Sequence, residues 1–209
     1  MKMKFFELIA KMKTSKKTAG FTMIELLIVI AILGILAVAV LSAINPVEQI
    51  NRGRDTGSRS DAEQLISAID RYNAFQGFYP WQEGASDDVY GITPLKSLTA
   101  ETVLLQHTTN CQVSDLLGAG DGACIGANEL KVTFFSRIFN TNYNYLAIYH
   151  GENASDSTYV CFAPKSDAFK TEATARAVDV GNLPADYPAT AIDNALCGAD
   201  ATADCICLP

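Results

Sequence analysis

After a polar, lysine-rich start the chain passes at Phe21 into the run FTMIELLIVIAILGILAVAVLSAI, residues 21–44, where Glu25 is the only charged side chain. A run of this length exceeds the ~20 residues that carry a helix across a bilayer. It is apolar on every face, unlike the one-sided stripe of a helix lying on a soluble core. The pattern therefore predicts a membrane-spanning helix over 21–45. An ordinary secretory signal would be cut behind its apolar run, at small residues. Leu41-Ser42-Ala43 fits that pattern poorly and the run is longer than such a region, so the segment is expected to stay in the mature protein.

From Asp61 the period changes. DAEQLISAIDRYNAF places Ala62, Leu65, Ile66, Ile69 and Tyr72 at helical spacing, with Asp61, Glu63, Asp70 and Arg71 between them. This predicts an amphipathic continuation of the helix over 46–76, with its stripe against a globular head at 77–209. Pro46 and Gly53 are expected to bend or loosen it locally, and Gly77 with Pro80 to stop it. In the head, aromatic and β-branched residues mark strands at Lys131–Ile138, Tyr143–Tyr149 and Thr158–Ala163. The polar string HGENASDS joins the last two as a hairpin loop. Residues 171–204, rich in Ala, Asp and Thr, read as irregular. The fold class expected is α+β: a long N-terminal helix packed against a small antiparallel β-rich head.

Charge sharpens this division. The net charge of −7 combines a +5 leader, residues 1–20, with 10 basic and 22 acidic groups after it. A basic end ahead of an apolar run marks the side kept in the cytoplasm. The acidic remainder would repel a phosphate backbone, which argues against general nucleic-acid binding by the head. Six cysteines, Cys111, Cys124, Cys161, Cys197, Cys205 and Cys207, all follow the span. Zinc sets show closer pairs or nearby histidines, whereas His107 and His150 stand far from Cys205-Ile206-Cys207. Disulfides in an oxidising compartment are the expectation. Cys111 is expected to pair with Cys124 across a glycine-rich loop. Cys205 and Cys207 are too close to pair with each other, so each would take Cys161 or Cys197, in an order left open.

The stretch Ala19-Gly20-Phe21-Thr22-Met23-Ile24-Glu25, between a basic leader and the apolar run, resembles the processing site of type IV prepilins and type II secretion pseudopilins. The resemblance is strong over about 14–45 and recognisable to Gly-Phe-Tyr-Pro at 77–80. It implies that a prepilin peptidase cuts after Gly20 and methylates the new amino group of Phe21. It implies too that Glu25 neutralises the amino terminus of a neighbouring subunit during assembly. A carboxylate in an apolar helix costs roughly 2.5–3.5 kcal/mol on insertion scales, which already makes Glu25 a functional candidate. No other charge on the helix could pair with it. In the family a glycine and a later proline border a stretch of helix that extends on assembly. Gly34 fits, while Pro46 falls about one turn late. The partners implied are the peptidase, copies of this chain and related pilins, an inner-membrane assembly platform, and membrane lipid before assembly. The location implied is a single-pass cytoplasmic membrane protein with the head outside, later an extracellular or periplasmic filament.

Catalytic patterns are lacking: there is no Walker sequence, H-E-x-x-H or G-x-S-x-G. His107 and His150 have no recognisable nucleophile partner and read as surface residues. No cofactor is expected. The acidic residues Asp121 (next to Gly122), Asp179, Asp186 and Asp193 offer oxygen ligands for calcium, which some pseudopilin heads bind. Their spacing matches no calcium loop, and a solvated acidic face is the better reading. Asn153-Ala154-Ser155 fits a glycosylation sequon of the kind that also occurs by chance. Pilus subunit, secretion pseudopilin and minor pilin remain open. The rival outside this class is a membrane-anchored enzyme or binding module, which would gain nothing from Glu25.

Overall fold

The computed structural model describes residues 20–98, 111–121, 124–140, 143–178, 184–188 and 205–209. It divides into two compact units, residues 1–45 and 46–209. Among its described residues the first holds α1 (Met23–Ala43), solvent-exposed wherever its side chains are described. It is the one helix among the described residues that is long and apolar enough to cross a membrane. The chain turns extended at Ile44, where the following Asn45-Pro46 disfavours helical backbone.

The second unit begins with α2 (Pro46–Gln76). Pro46 occupies its first position, where a missing N–H costs nothing. Gly53 lies inside the helix, which continues through it. Gly77 ends the helix at φ +79°, its N–H donating to Asn73 O at 2.8 Å. Only glycine adopts that left-handed cap freely.

Beyond α2 lie β1 (Ile92–Leu98), α3 (Val113–Leu117), the hairpin β2 (Gly120–Asp121) and β3 (Cys124–Ile125), then α4 (Val132–Ile138). They are followed by β4 (Leu146–His150), β5 (Thr158–Phe162), α5 (Asp167–Val178) and β6 (Ile206–Leu208). The main sheet is antiparallel in the order β1-β4-β5-β6. Its register aligns Leu146, Phe162 and Ile206 in one row and Ala147, Cys161 and Cys207 in the next. The side-chain period of two therefore sorts whole rows to opposite faces. Leu146, Ile148, Val160, Phe162 and Ile206 join Ala62, Leu65, Ile66, Ile69 and Tyr72 of α2 in the main core. Ala147, Tyr159, Cys161, Cys205 and Cys207 form a smaller cluster with Tyr187.

Two disulfides are described, Cys111–Cys124 and Cys161–Cys207, the second joining directly opposed residues of β5 and β6. Loop-closure entropy for separations of 13 and 46 residues gives about 3 and about 4 kcal/mol. The three-residue β6 thus depends on a covalent anchor. Cys205 is also disulfide-bonded; Cys197 lies outside the described residues.

Two expectations are corrected. The segment Lys131–Ile138 is not a strand: residues 132–138 form α4. Phe134, Phe135 and Ile138 are its buried side chains, and that i, i+1, i+4 spacing belongs to a helix face, overriding the β-propensity of Val, Thr and Phe. Residues 171–178, expected to be irregular, are the last two thirds of α5. Its alanines favour helix, and its first turn is capped from outside, as described next.

Candidate functional site

The N-terminus of α1 is closed by a reciprocal pair of side chains. Thr22 is the N-cap, and its Oγ1 accepts from the Glu25 N–H at 3.3 Å. Glu25 Oε2 accepts in return from the Thr22 backbone N–H at 2.8 Å and from its hydroxyl at 2.7 Å. This is a capping box. It corrects the expectation that Glu25 finds no partner within its own helix. No countercharge is present, but two neutral donors are, and both belong to the cap. The sequence carried the signal, T-x-x-E directly before an apolar run, although Thr22 was not singled out. Glu25 is thus solvated by its own helix end.

Gly20 and Phe21 precede the helix, and Phe21 is 87% exposed. A Cβ added at Gly20 or Gly34 would meet nothing within 4 Å. Packing among the described residues therefore requires glycine at neither position.

The head has its own polar centres, set along α2. Asp55 is fully buried. Its Oδ1 accepts from Asn144 Nδ2 at 2.7 Å and from Lys165 N–H at 3.0 Å. Its Oδ2 accepts from the Ser166 N–H at 2.7 Å and the Ser166 hydroxyl at 2.6 Å. Ser166 Oγ in turn accepts from Phe169 N–H, and Glu48 takes the Asp167 N–H at 3.0 Å. Two carboxylates of α2 thus satisfy the free N–H groups at the start of α5 and complement its dipole. Asp61, 3% exposed, receives the Arg137 guanidinium and the Tyr143 hydroxyl. None of these long-range contacts was legible beforehand, because partners up to 119 residues apart leave no local pattern.

Asp186 is engaged rather than free: Ser157 N–H donates to it at 2.6 Å and Tyr159 OH at 3.0 Å. The Ser157 N–H, more than any other contact, holds its carboxyl below the ordinary range. Burial, aided by the neighbouring carboxylates Asp61 and Asp186, pushes the phenols of Tyr143 and Tyr159 each up to about 12. Ionisation is easier in the unfolded chain, near the ordinary value of ~10. The stability from these phenols is therefore fully present below about pH 10 and lost as pH rises toward 12. Absorbance titration should show two tyrosines still protonated at pH ~11, with unfolding following their ionisation.

His150 is not a surface residue. It is fully buried, with its ring centroid 4.5 Å from Tyr79 and 5.7 Å from Trp81, and its Nδ1–H donates to Gly151 O at 2.8 Å. It packs as an aromatic side chain. Among the described residues no group of three His, Cys, Asp or Glu converges as metal ligands. His107, Gly122, Asp179 and Asp193 lie outside the described residues, as does the side chain of Asp121. Asn153 is exposed in the β4–β5 loop, its amide turned back onto Asp156.

Residues 15–41 match the family model for the prokaryotic N-terminal methylation motif. Comparison with curated proteins returns no match, and neither does comparison with solved structures.

Proposed function

Since residues 15–41 carry the prepilin-type motif of the type IV pilins and pseudopilins, we propose that this chain is a structural subunit that polymerises into a type IV pilus or pilus-like filament once a prepilin peptidase has removed its leader. The observation that carries the reading is the coincidence of that motif with a single carboxylate, Glu25, at the start of a helix otherwise free of charge. The peptidase cuts after Gly20 and methylates Phe21. Glu25 then leaves the Thr22 hydroxyl and amide for the new amino group of a neighbouring subunit. The bonds given up join the carboxylate to neutral donors; a cationic amino group adds charge–charge attraction, which grows where the apolar faces of α1 exclude water. The helices bundle in the filament centre, the heads form its wall, and no chemical step falls to the subunit itself. An assembly platform in the inner membrane receives it there.

Intact mass spectrometry of protein from its own host tests the first step. The mature chain is expected to begin at Phe21 and to carry one methyl group. A chain beginning at Met1, or near Ala43, would remove the basis of the proposal.

A further inference from the structure

The core of the head holds α2 from Asp55 onward. No residue of α2 before Asp55 is buried, whereas Asp55 itself is locked by Asn144, Lys165 and Ser166. Residues 46–54 therefore go without the core packing that supplies most of the stability of helices in proteins. Their composition does not compensate. Gly53 disfavours a helix interior more than any residue but proline, and a Cβ there would meet nothing within 4 Å. Val47, Ile50 and Asn51 are weaker helix formers than Ala or Leu. The hydroxyls of Thr56 and Ser58 donate to the carbonyls of Arg52 and Arg54 at 2.8 and 3.1 Å, an i−4 contact that weakens and bends helices.

Glu48 works the other way. Both its carboxylate oxygens accept from the Asp167 N–H, at 3.0 and 3.2 Å. Asp167 is the first residue of α5, where the helix dipole favours a negative charge. The contact ties the first turn of α2 to an element that the firmly held part of α2 already fixes, through Asp55 on Ser166 and Arg59 on Glu172.

We propose that residues 46–54 are a releasable stretch of helix, with Glu48 on the start of α5 as its latch. Latched, they continue α2. Released, they unwind from Pro46 as far as Asp55, and Thr56, a residue type that caps helices, stands where the shortened helix begins. Extended chain covers about 3.3 Å per residue against about 1.5 Å in a helix, so release adds up to roughly 16 Å of reach between the end of α1 and the head. The device needs α2 and α5 alone and stands whether or not the chain forms filaments.

Amide hydrogen exchange of the full chain in detergent, with disulfides intact, tests it. Residues 46–54 should exchange at least about tenfold faster than residues 62–72, which carry the buried stripe of the same helix. Glu48→Ala should speed exchange in 46–54 by about a further tenfold, the worth of a partly exposed hydrogen bond to a charged group. It should also speed exchange at the start of α5, which a role confined to α2 would not move. Asp167→Pro removes the donor N–H at a helix position that tolerates proline, leaves Glu48 in place, and should match Glu48→Ala in 46–54. The two together should do no more than either alone, as for one shared contact. Gly53→Ala should slow exchange in 46–54 about four- to fivefold. Three results would each overturn the proposal: 46–54 as protected as 62–72, a Glu48→Ala effect that leaves the start of α5 unchanged, or Glu48→Ala and Asp167→Pro effects that multiply.

Discussion

Cells whose only subunit carries Glu25→Ala are expected to make no surface filaments, while the subunit still inserts in the membrane and its head still folds. Insertion should become easier, because removing the carboxylate makes α1 uniformly apolar. The second unit, residues 46–209, which includes the head, has its own core. On the proposed function polymerisation alone depends on the carboxylate: without it the incoming amino terminus would be an unpaired charge among apolar helices. Breaking a buried pair costs about 3–5 kcal/mol, so filament yield should fall at least a hundredfold. Glu25→Asp should be intermediate, since the charge survives with a shorter reach. Thr22→Val separates two roles that share these atoms. It removes the Thr22 hydroxyl, which donates to Glu25 and accepts its N–H, at the usual cap cost of ~1 kcal/mol, yet leaves the carboxylate for its neighbour. Filaments should persist in Thr22→Val. Sheared surface filaments, compared with membrane-bound subunit for each variant, give the readout. Normal yield from Glu25→Ala would make the carboxylate incidental and return the chain to the anchored-module reading.

Asp55→Ala is expected to destabilise the head by about 3–5 kcal/mol, a large share of the 5–15 kcal/mol typical of a domain. The substitution strands the Lys165 and Ser166 N–H groups, the Ser166 hydroxyl and the Asn144 amide at once. Each buried donor left unsatisfied costs about 1–3 kcal/mol, with water entering the vacated space to recover part of it. Asp55→Asn keeps the shape but turns an amide NH2 toward groups that are themselves donors, and should lose about 2 kcal/mol. Glu63→Ala, an exposed change on the same helix, should stay within ~0.5 kcal/mol. Denaturant unfolding of the full chain in detergent, with disulfides intact, measures all three. A loss below ~1 kcal/mol for Asp55→Ala would mean that the start of α5 is held by its own sequence rather than by α2.

What the sequence determined by itself is what depends on neighbours along the chain. The uninterrupted apolar run from Phe21, the stripe from Ala62 to Tyr72 and the stop at Gly77 are local patterns, and each element stands where its pattern lies. The strands over 146–150 and 158–162 follow from residue type and a polar loop of ordinary length. The Cys111–Cys124 loop is short enough to read from spacing. Even the capping box of Thr22 and Glu25 was readable, because its two members sit three residues apart.

Tertiary structure decided the rest. The segment 132–138 has strand-forming residues, and only a core needing Phe134, Phe135 and Ile138 on one side makes it α4. Cys207 met Cys161 because β6 aligns with β5 in a register that opposes them. A shift of one residue would have turned the thiol to the other face. His150 became a packed ring because Tyr79 and Trp81 fold over it. Asp55 and Asp61 look like ordinary solvated acids of an amphipathic helix until residues 76 to 111 positions away bring them donors. Burying a carboxylate is favourable only when several donors converge on it, and that convergence exists only in the folded head.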